Sequence, residues 1–397
     1  MADFTSVFAK VCDIFGIASL NSHQKTAITQ MVTEKKDMFI NLPAGFGKSL
    51  IYQALPTVFD EVECTTGHVV VIVSPLLTLI HDQVESLRRI GISAVSLSHL
   101  EDEREMEMVE RGIYSLIYAT PESILKNERW RKMLSSSVYT KKLCAIAVDE
   151  AHVIKQWGTS SSNKLSPFRE CYARLHELRS LAPEVNMIAL TATAVNSTKS
   201  AIIDILQMMD PFIISESPNK LNVTYAVEYL PKDVEIEYYF AWLVKDLCEC
   251  RVNAERTIIY CQTIKQCGMI YATLRSMLGK QFYIGELEDN KSTIVEMLHS
   301  CTPTANKKNI LESFGDPTGT VRVLVATIAF GMGVDCKGVH RTIHFGPSKN
   351  IESFIQESGR AGRDGAQSTS YILYQGLLLT HVEKNIKEFL KSKECRR

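Results

Sequence analysis

Two stretches of this chain have residue types and spacing suited to phosphate chemistry. The first is "NLPAGFGKSLIYQ", residues 41–53. It ends as a phosphate loop ends, but the pattern G-x-x-x-x-G-K-[ST] calls for Gly at position 42, where Leu42 stands. Gly45 and Gly47 permit the tight turn and keep side chains away from an anion, with Ala44 and Phe46 between and beside them. Lys48 is placed to reach β and γ phosphates, and the Ser49 hydroxyl to hold Mg²⁺. An accidental Gly-Lys-Ser at a helix start is the competing explanation. The second stretch, "LCAIAVDEAH", puts Asp149 and Glu150 at the end of an apolar run. Adjacent acids there are costly unless they serve something. Asp149 suits Mg²⁺, and Glu150 suits orienting and polarising a water for in-line attack on a γ-phosphate. The plainer alternative is an exposed strand end followed by a helix cap.

The surrounding pattern supplies elements to position these groups. "DMFINLP" (37–43), "HVVVIVSP" (68–75), "SLIYATPE" (115–122), "LCAIAVDE" (143–150) and "NMIALTAT" (186–193) read as strands. Several are apolar at consecutive positions, as parallel strands covered on both faces are. Amphipathic stretches such as "TLIHDQVESLRRIG" lie between them, which gives a doubly wound α/β layout with ligands at the strands' carboxyl ends. The second half repeats the scheme with "RTIIYCQ" (256–262), "VRVLVAT" (321–327), "HRTIHFG" (340–346) and "STSYILY" (368–374). The Pro-broken stretch 208–233 reads as a crossing segment. We expect domains over 1–214 and 215–380, a helical tail over 381–397, and a cleft between the two α/β units.

Bulk properties narrow the class. At 45% hydrophobic and 22% charged residues the chain suits a globular protein. No apolar run reaches the ~18–20 residues of a membrane span, and no secretory signal is visible at the start. A formal net charge of −1 means that any polyanion must bind in a local groove. Eleven cysteines, with no C-x-x-C pair, read as free thiols in a reducing compartment.

In order along roughly residues 15–380, the motifs resemble those of superfamily 2 nucleic-acid helicases, and within them the RecQ family. They are "FGIASLNSHQ", "VSPLLTLIHDQV", "ATPESIL", "DEAHVIKQWG", "ALTATA", "IIYCQT", "VLVATIAFGMGVD" and "QESGRAGRDG". The superfamily's first motif tolerates a non-Gly residue where Leu42 stands. The resemblance implies two tandem RecA-like domains, ATP and Mg²⁺, single-stranded or tailed duplex DNA as partner, 3′-to-5′ movement and a nuclear location. It makes Gln24 the adenine-reading residue and gives Asp335 a ribose or coupling contact. Arg360 and Arg363, three apart on an expected helix face and joined by Gln356 one turn earlier, become arginine fingers for the γ-phosphate. Ser74 and Thr120, at helix starts after strands, are expected to grip nucleic-acid phosphates with nearby amides. Trp157 and Phe168 match the aromatic-rich loop that stacks on bases, with a core role the alternative for Trp157. His152 either couples Glu150 to the second unit or orients its neighbours.

Four departures stand out. Ile17 and Asn21 replace an aromatic and an Arg before Gln24, and Ala44 replaces a Thr. The aromatic-rich loop becomes the longer "TSSSNKLSPFRE". The chain stops at "SKECRR", where Cys395 resembles the first ligand of a zinc-binding subdomain, so we expect no zinc here and weak unwinding. A non-motor nucleic-acid-binding relative with weak ATPase, and an RNA remodelling enzyme, remain as alternatives.

Overall fold

The computed structural model describes residues 4–98, 100–158, 169–231, 233–285, 292–316, 318–327, 338–380 and 382–392. The chain divides into two units, Met1–Pro218 and Asn219–Arg397. In the first, the strands are β1 (Met38–Asn41), β2 (Val69–Val73), β3 (Ala94–Ser96), β4 (Leu116–Ala119), β5 (Leu143–Val148), β6 (Asn186–Thr191) and β7 (Phe212–Ser215). They form one sheet in the order β3-β4-β2-β5-β6-β1-β7, and every neighbouring pair is parallel. Parallel strands need crossovers, and the intervening helices cover both faces. That is why all five residues of β2 are buried and why its apolar run does not alternate.

The helices α1 (Phe4–Phe15), α2 (Ser22–Thr33) and α3 (Lys48–Val62) share one core with this sheet. Val11, Ala27, Met31, Ile51 and Leu55 pack in a single cluster with Ile40, Ile72 and Ala147. α2 starts at a full capping box. The Asn21 side chain accepts from Gln24 N–H, and the Gln24 side chain accepts from Asn21 N–H. A fourth helix, α4 (Leu77–Arg89), follows β2 and begins with no side-chain cap.

The second unit holds β8 (Val223–Tyr229), β9 (Arg256–Cys261), the short antiparallel pair β10 (Tyr283–Ile284) and β11 (Ser292–Thr293), β12 (Val295–Leu298), β13 (Val323–Thr327), β14 (Val339–Phe345) and β15 (Ser368–Tyr374). Its main sheet runs β12-β13-β9-β14-β15-β8, again wholly parallel. The expected doubly wound α/β fold is therefore present twice.

The stretch read as a crossing segment contains one edge strand of each sheet, β7 and β8. Edge strands bury little: only Ile214 of β7 is buried. β8 accordingly mixes polar and apolar residues, and β7 is only four residues long. Among the described residues no helix is long and apolar enough to cross a membrane, and the nine described cysteines are free thiols.

Candidate nucleotide and nucleic-acid sites

Because the first sheet is parallel, the segments leaving β1, β2, β4, β5 and β6 emerge at one edge. Leu42 continues β1 into the core, fully buried, and its N–H donates to Thr191 O at the end of β6 (3.1 Å). An apolar residue is thus at home where the full pattern asks for Gly. The loop then turns through Gly45 (φ +91°) and Gly47 (φ +68°) into α3. Gly47 sits in the left-handed region that strains other residues, and a Cβ there would also displace Gln24 Nε2, 2.6 Å away. Lys48 Nζ donates to Leu42 O (2.8 Å) and Pro43 O (3.2 Å), the loop's own carbonyls.

Gln24 is nearly buried. Its Nε2 donates to Gly47 O (3.0 Å) and its Oε1 accepts from Asn21 N–H (2.9 Å). Asn21, the departure from the family's Arg, donates from Nδ2 to Phe46 O (3.1 Å). Both residues therefore brace the loop. Phe46 is exposed, with its ring centroid 6.1 Å from that of His23. Ala44 and Ser49 are half-buried.

Asp149 follows β5, its N–H donating to Val73 O (2.9 Å) at the end of β2. Its Oδ1 accepts from Glu150 N–H (2.9 Å) and its Oδ2 from the Tyr52 hydroxyl (3.1 Å). Burial first, and the Glu150 charge second, push its carboxyl up to about 6, with Lys48 pulling the other way. Glu150 holds φ +50°, a left-handed conformation that strains a residue with a Cβ. His152, 1% exposed, lies with Nδ1 3.3 Å from Glu150 Oε2 and 3.2 Å from Thr191 Oγ1. Its ring therefore lies between Glu150 and the end of β6.

Among the described residues no group of three or more His, Cys, Asp or Glu is gathered around a metal position. Mg²⁺ does not require one. It keeps several waters and takes one or two carboxylates together with substrate phosphates. The hard oxygens of Ser49 and of Asp149, the latter held by the Tyr52 hydroxyl, fit that demand.

At the same edge, Ser74 is 2% exposed, and its Oγ has no hydrogen-bond partner among the described residues. Thr120 caps the helix Pro121–Lys126, its Oγ1 accepting from Ser123 N–H (3.1 Å). Any phosphate contact by Thr120 would then have to use its O–H proton. Trp157 stands edge-on to Tyr172, centroids 5.3 Å apart. The Arg169 guanidinium lies 5.2 Å from the Trp157 ring centre and 4.9 Å from that of Tyr172. Arg169 also forms a two-bonded ion pair with Glu122 and donates to Pro75 O (2.9 Å). One side chain thus joins the segments after β2, β4 and β5. Phe168 and Asp335 lie outside the described residues, as does Cys395.

In the second unit one local expectation is corrected. The helix carrying Gln356 is Ile351–Ser358, and it ends before the arginines. Arg360 N–H and Ala361 N–H donate three residues back, to Glu357 O and Ser358 O, and Gly362 turns at φ +62°. Arg360 and Arg363 therefore sit in a tight turn rather than on a helix face, because two glycines within four residues do not sustain a helix. The turn is clamped. Lys220 Nζ donates to Gly359 O (2.7 Å) and Ala361 O (3.1 Å), and Asn222 Nδ2 to Gly362 O (2.9 Å) and Ala366 O (2.8 Å). Burial, with Arg363 nearby, pushes the Lys220 ammonium down to about 8. Glu357 is buried against His344 Nε2 (3.1 Å) and Ser348 Oγ (2.6 Å). Lys220, Asn222, Tyr52 and the bracing role of Asn21 escape a motif search, since each acts through contacts distant in sequence or through an ordinary-looking polar residue.

Two duplicated parallel-sheet units, one with a phosphate loop and paired acids and the other with a clamped arginine turn, define the class of a nucleic-acid helicase core. Family models agree. The DEAD/DEAH box helicase model matches residues 21–201 and the helicase conserved C-terminal domain residues 240–365. The chain belongs to the RecQ family of helicases. It is 32% identical over 370 residues to "ATP-dependent DNA helicase Q-like 2" of Arabidopsis thaliana, covering 91% of this chain and 48% of the relative. It is 30% identical over 367 residues to "ATP-dependent helicase SGS1" of Saccharomyces cerevisiae, covering 91% of this chain and 23% of that one. It is 32% identical over 371 residues to "ATP-dependent DNA helicase Q1" of Rattus norvegicus, with 92% and 54% covered. The chain thus spans about half or less of these relatives. Among solved structures, the DUF1998 helicase MrfA bound to DNA matches with TM-score 0.69 at 16% identity, covering 93% of this chain and 51% of that one. The DEAD-box helicase Mss116 bound to ssRNA and UDP-BeF matches with TM-score 0.69 at 16% identity, covering 92% and 72%. These two likenesses show the fold.

Proposed function

We propose that this chain is an ATP-dependent DNA motor of RecQ type, moving 3′ to 5′ on single-stranded DNA in the nucleus, in repair or recombination. The observation that carries the reading is the gathering of Lys48, Ser49, Asp149 and Glu150 at one sheet edge, beside a loop that turns through two glycines in left-handed conformation. Lys48 exchanges its bonds to the loop carbonyls for the β and γ phosphates, and Gln24 lies beside the loop to meet the adenine. Ser49 and Asp149 would hold Mg²⁺, which would supply charge neutralisation on the phosphate oxygens. Glu150 orients the attacking water, and His152 holds Glu150 in place. Arg360 and Arg363, presented by the clamped turn and accompanied by Gln356, stabilise the charge that develops on the γ-phosphate. Asp335 contacts the ribose. We assign 1–214 as the ATP-binding domain and 215–380 as its C-terminal partner, with 381–397 as a tail.

The strand is read through its backbone at the first unit's carboxyl edge. Ser74 offers a buried hydroxyl beside the uncapped start of α4, and Thr120 lies at the next strand end. Trp157 lies on the helix Val153–Gly158 and packs against Arg169, which joins it to both segments and gives bound bases a mechanical path toward Glu150, with Phe168 as a second stacking residue.

The decisive experiment measures ATP turnover with and without single-stranded DNA, beside unwinding of a tailed duplex. Wild type should hydrolyse ATP faster with DNA, and Lys48→Ala should lose turnover while keeping its fold. Wild-type turnover in Lys48→Ala would refute the assignment. DNA binding without stimulation would move the chain to the non-motor class, and preferential stimulation by RNA to the RNA-remodelling class.

A further inference from the structure

Tyr52 is fully buried on α3. Phe would fill the same space without placing a hydroxyl in the core, where an unpaired one is costly. Tyr52 lies three residues after Ser49, and helical side chains lean toward the helix N-terminus. Its hydroxyl therefore returns to the loop end of α3. There it donates to Asp149 Oδ2 (3.1 Å). Glu150 N–H holds the other Asp149 oxygen (2.9 Å), so both carboxylate oxygens are restrained. A phenol on α3 thus holds the acid that leaves β5, 97 residues further along the chain.

We infer that Tyr52 is a positioning residue for Mg²⁺, its hydroxyl holding the Asp149 carboxylate in the orientation that serves an ion at the loop. This rests on the reading of the loop as a magnesium–nucleotide site. Removing a group that orients metal ligands typically lowers metal affinity about 10–100-fold. Tyr118 is the natural comparator. It is a second buried tyrosine, its ring centroid 6.5 Å from that of Tyr52, whose hydroxyl accepts from Gln53 Nε2 (3.1 Å).

The test titrates Mg²⁺ into wild type, Tyr52→Phe and Tyr118→Phe and follows binding of a fluorescent ATP analogue, with thermal unfolding recorded alongside. In EDTA all three should bind the analogue equally. Tyr52→Phe should need about tenfold more Mg²⁺ to reach half of the tightening seen in wild type. Tyr118→Phe should follow the wild-type curve even if it melts earlier. A wild-type magnesium curve for Tyr52→Phe overturns the inference alone. So does an equal shift in Tyr118→Phe, which would mean that loosened packing is the cause. Absence of any magnesium-dependent binding in wild type overturns the nucleotide site together with it.

Discussion

The buried acid of the loop should make the nucleotide-free protein less stable than a neutral variant. Asp149 is 8% exposed, and its carboxyl is pushed up to about 6 by burial and by Glu150. The unfolded value is about 3.9. A raised carboxyl binds its proton more tightly in the folded state, so stability falls as pH rises from about 4 to about 6, and the full penalty is present above that. A difference of about two units corresponds to about 3 kcal/mol at pH 7.5 and about 1.5 kcal/mol at pH 5. Asp149→Asn removes the charge and keeps both contacts: its Oδ1 accepts from Glu150 N–H, and its Nδ2 donates to the Tyr52 oxygen. The variant should therefore be stabilised by about 3 kcal/mol at pH 7.5, with the gain halved by pH 5. A chain of two units need not unfold in one step, so the readout is hydrogen exchange at the amides of β5, in EDTA and without nucleotide, across that pH range. Magnesium with nucleotide should reverse the order, since only wild type offers the carboxylate. Slower exchange in wild type at pH 7.5, or a gain independent of pH, would refute the reasoning.

Three further perturbations test other parts of the site. Gly362→Ala places a Cβ 2.4 Å from Asn222 Nδ2 at φ +62°, so it should destabilise the second unit by about 2 kcal/mol and lower ATP turnover; unchanged unfolding would show that the clamp yields freely. Gln83 on α4 accepts from Gln53 Nε2 (2.7 Å), which also donates to Tyr118. Gln83→Leu should preserve basal turnover and reduce stimulation by single-stranded DNA several-fold, and full stimulation would deny α4 a part in coupling. Arg169→Met removes the ion pair to Glu122 and the ring contact with Trp157, which should shift Trp157 emission to the red and blunt stimulation by DNA; an unchanged spectrum would mean that Tyr172 alone holds the indole.

The central strands were legible because parallel strands covered on both faces must be apolar throughout, as β2 and β5 are. β3, β7, β8 and β12 were not, being short or lying at sheet edges where burial imposes little pattern. Lys48, Ser49, Asp149 and Glu150 could be read as chemistry because a glycine-rich turn and adjacent acids have few other reasons to end apolar runs. The arginine turn was misread as helix, since periodicity alone does not register Gly362 turning left-handed or Lys220 holding two carbonyls.

What the linear order determined by itself was the inventory: two α/β units, the reactive residues, and the strand ends that carry them. Only the tertiary structure decided how those residues are held. β6 lies between β1 and β5 and accepts bonds from both of their exits, Asn21 and Gln24 brace the loop from another helix, and Tyr52 joins α3 to Asp149. The physical reason is that a motif reflects what each short segment must do locally, whereas a hydrogen bond between segments a hundred residues apart exists only once the sheet has set their separation.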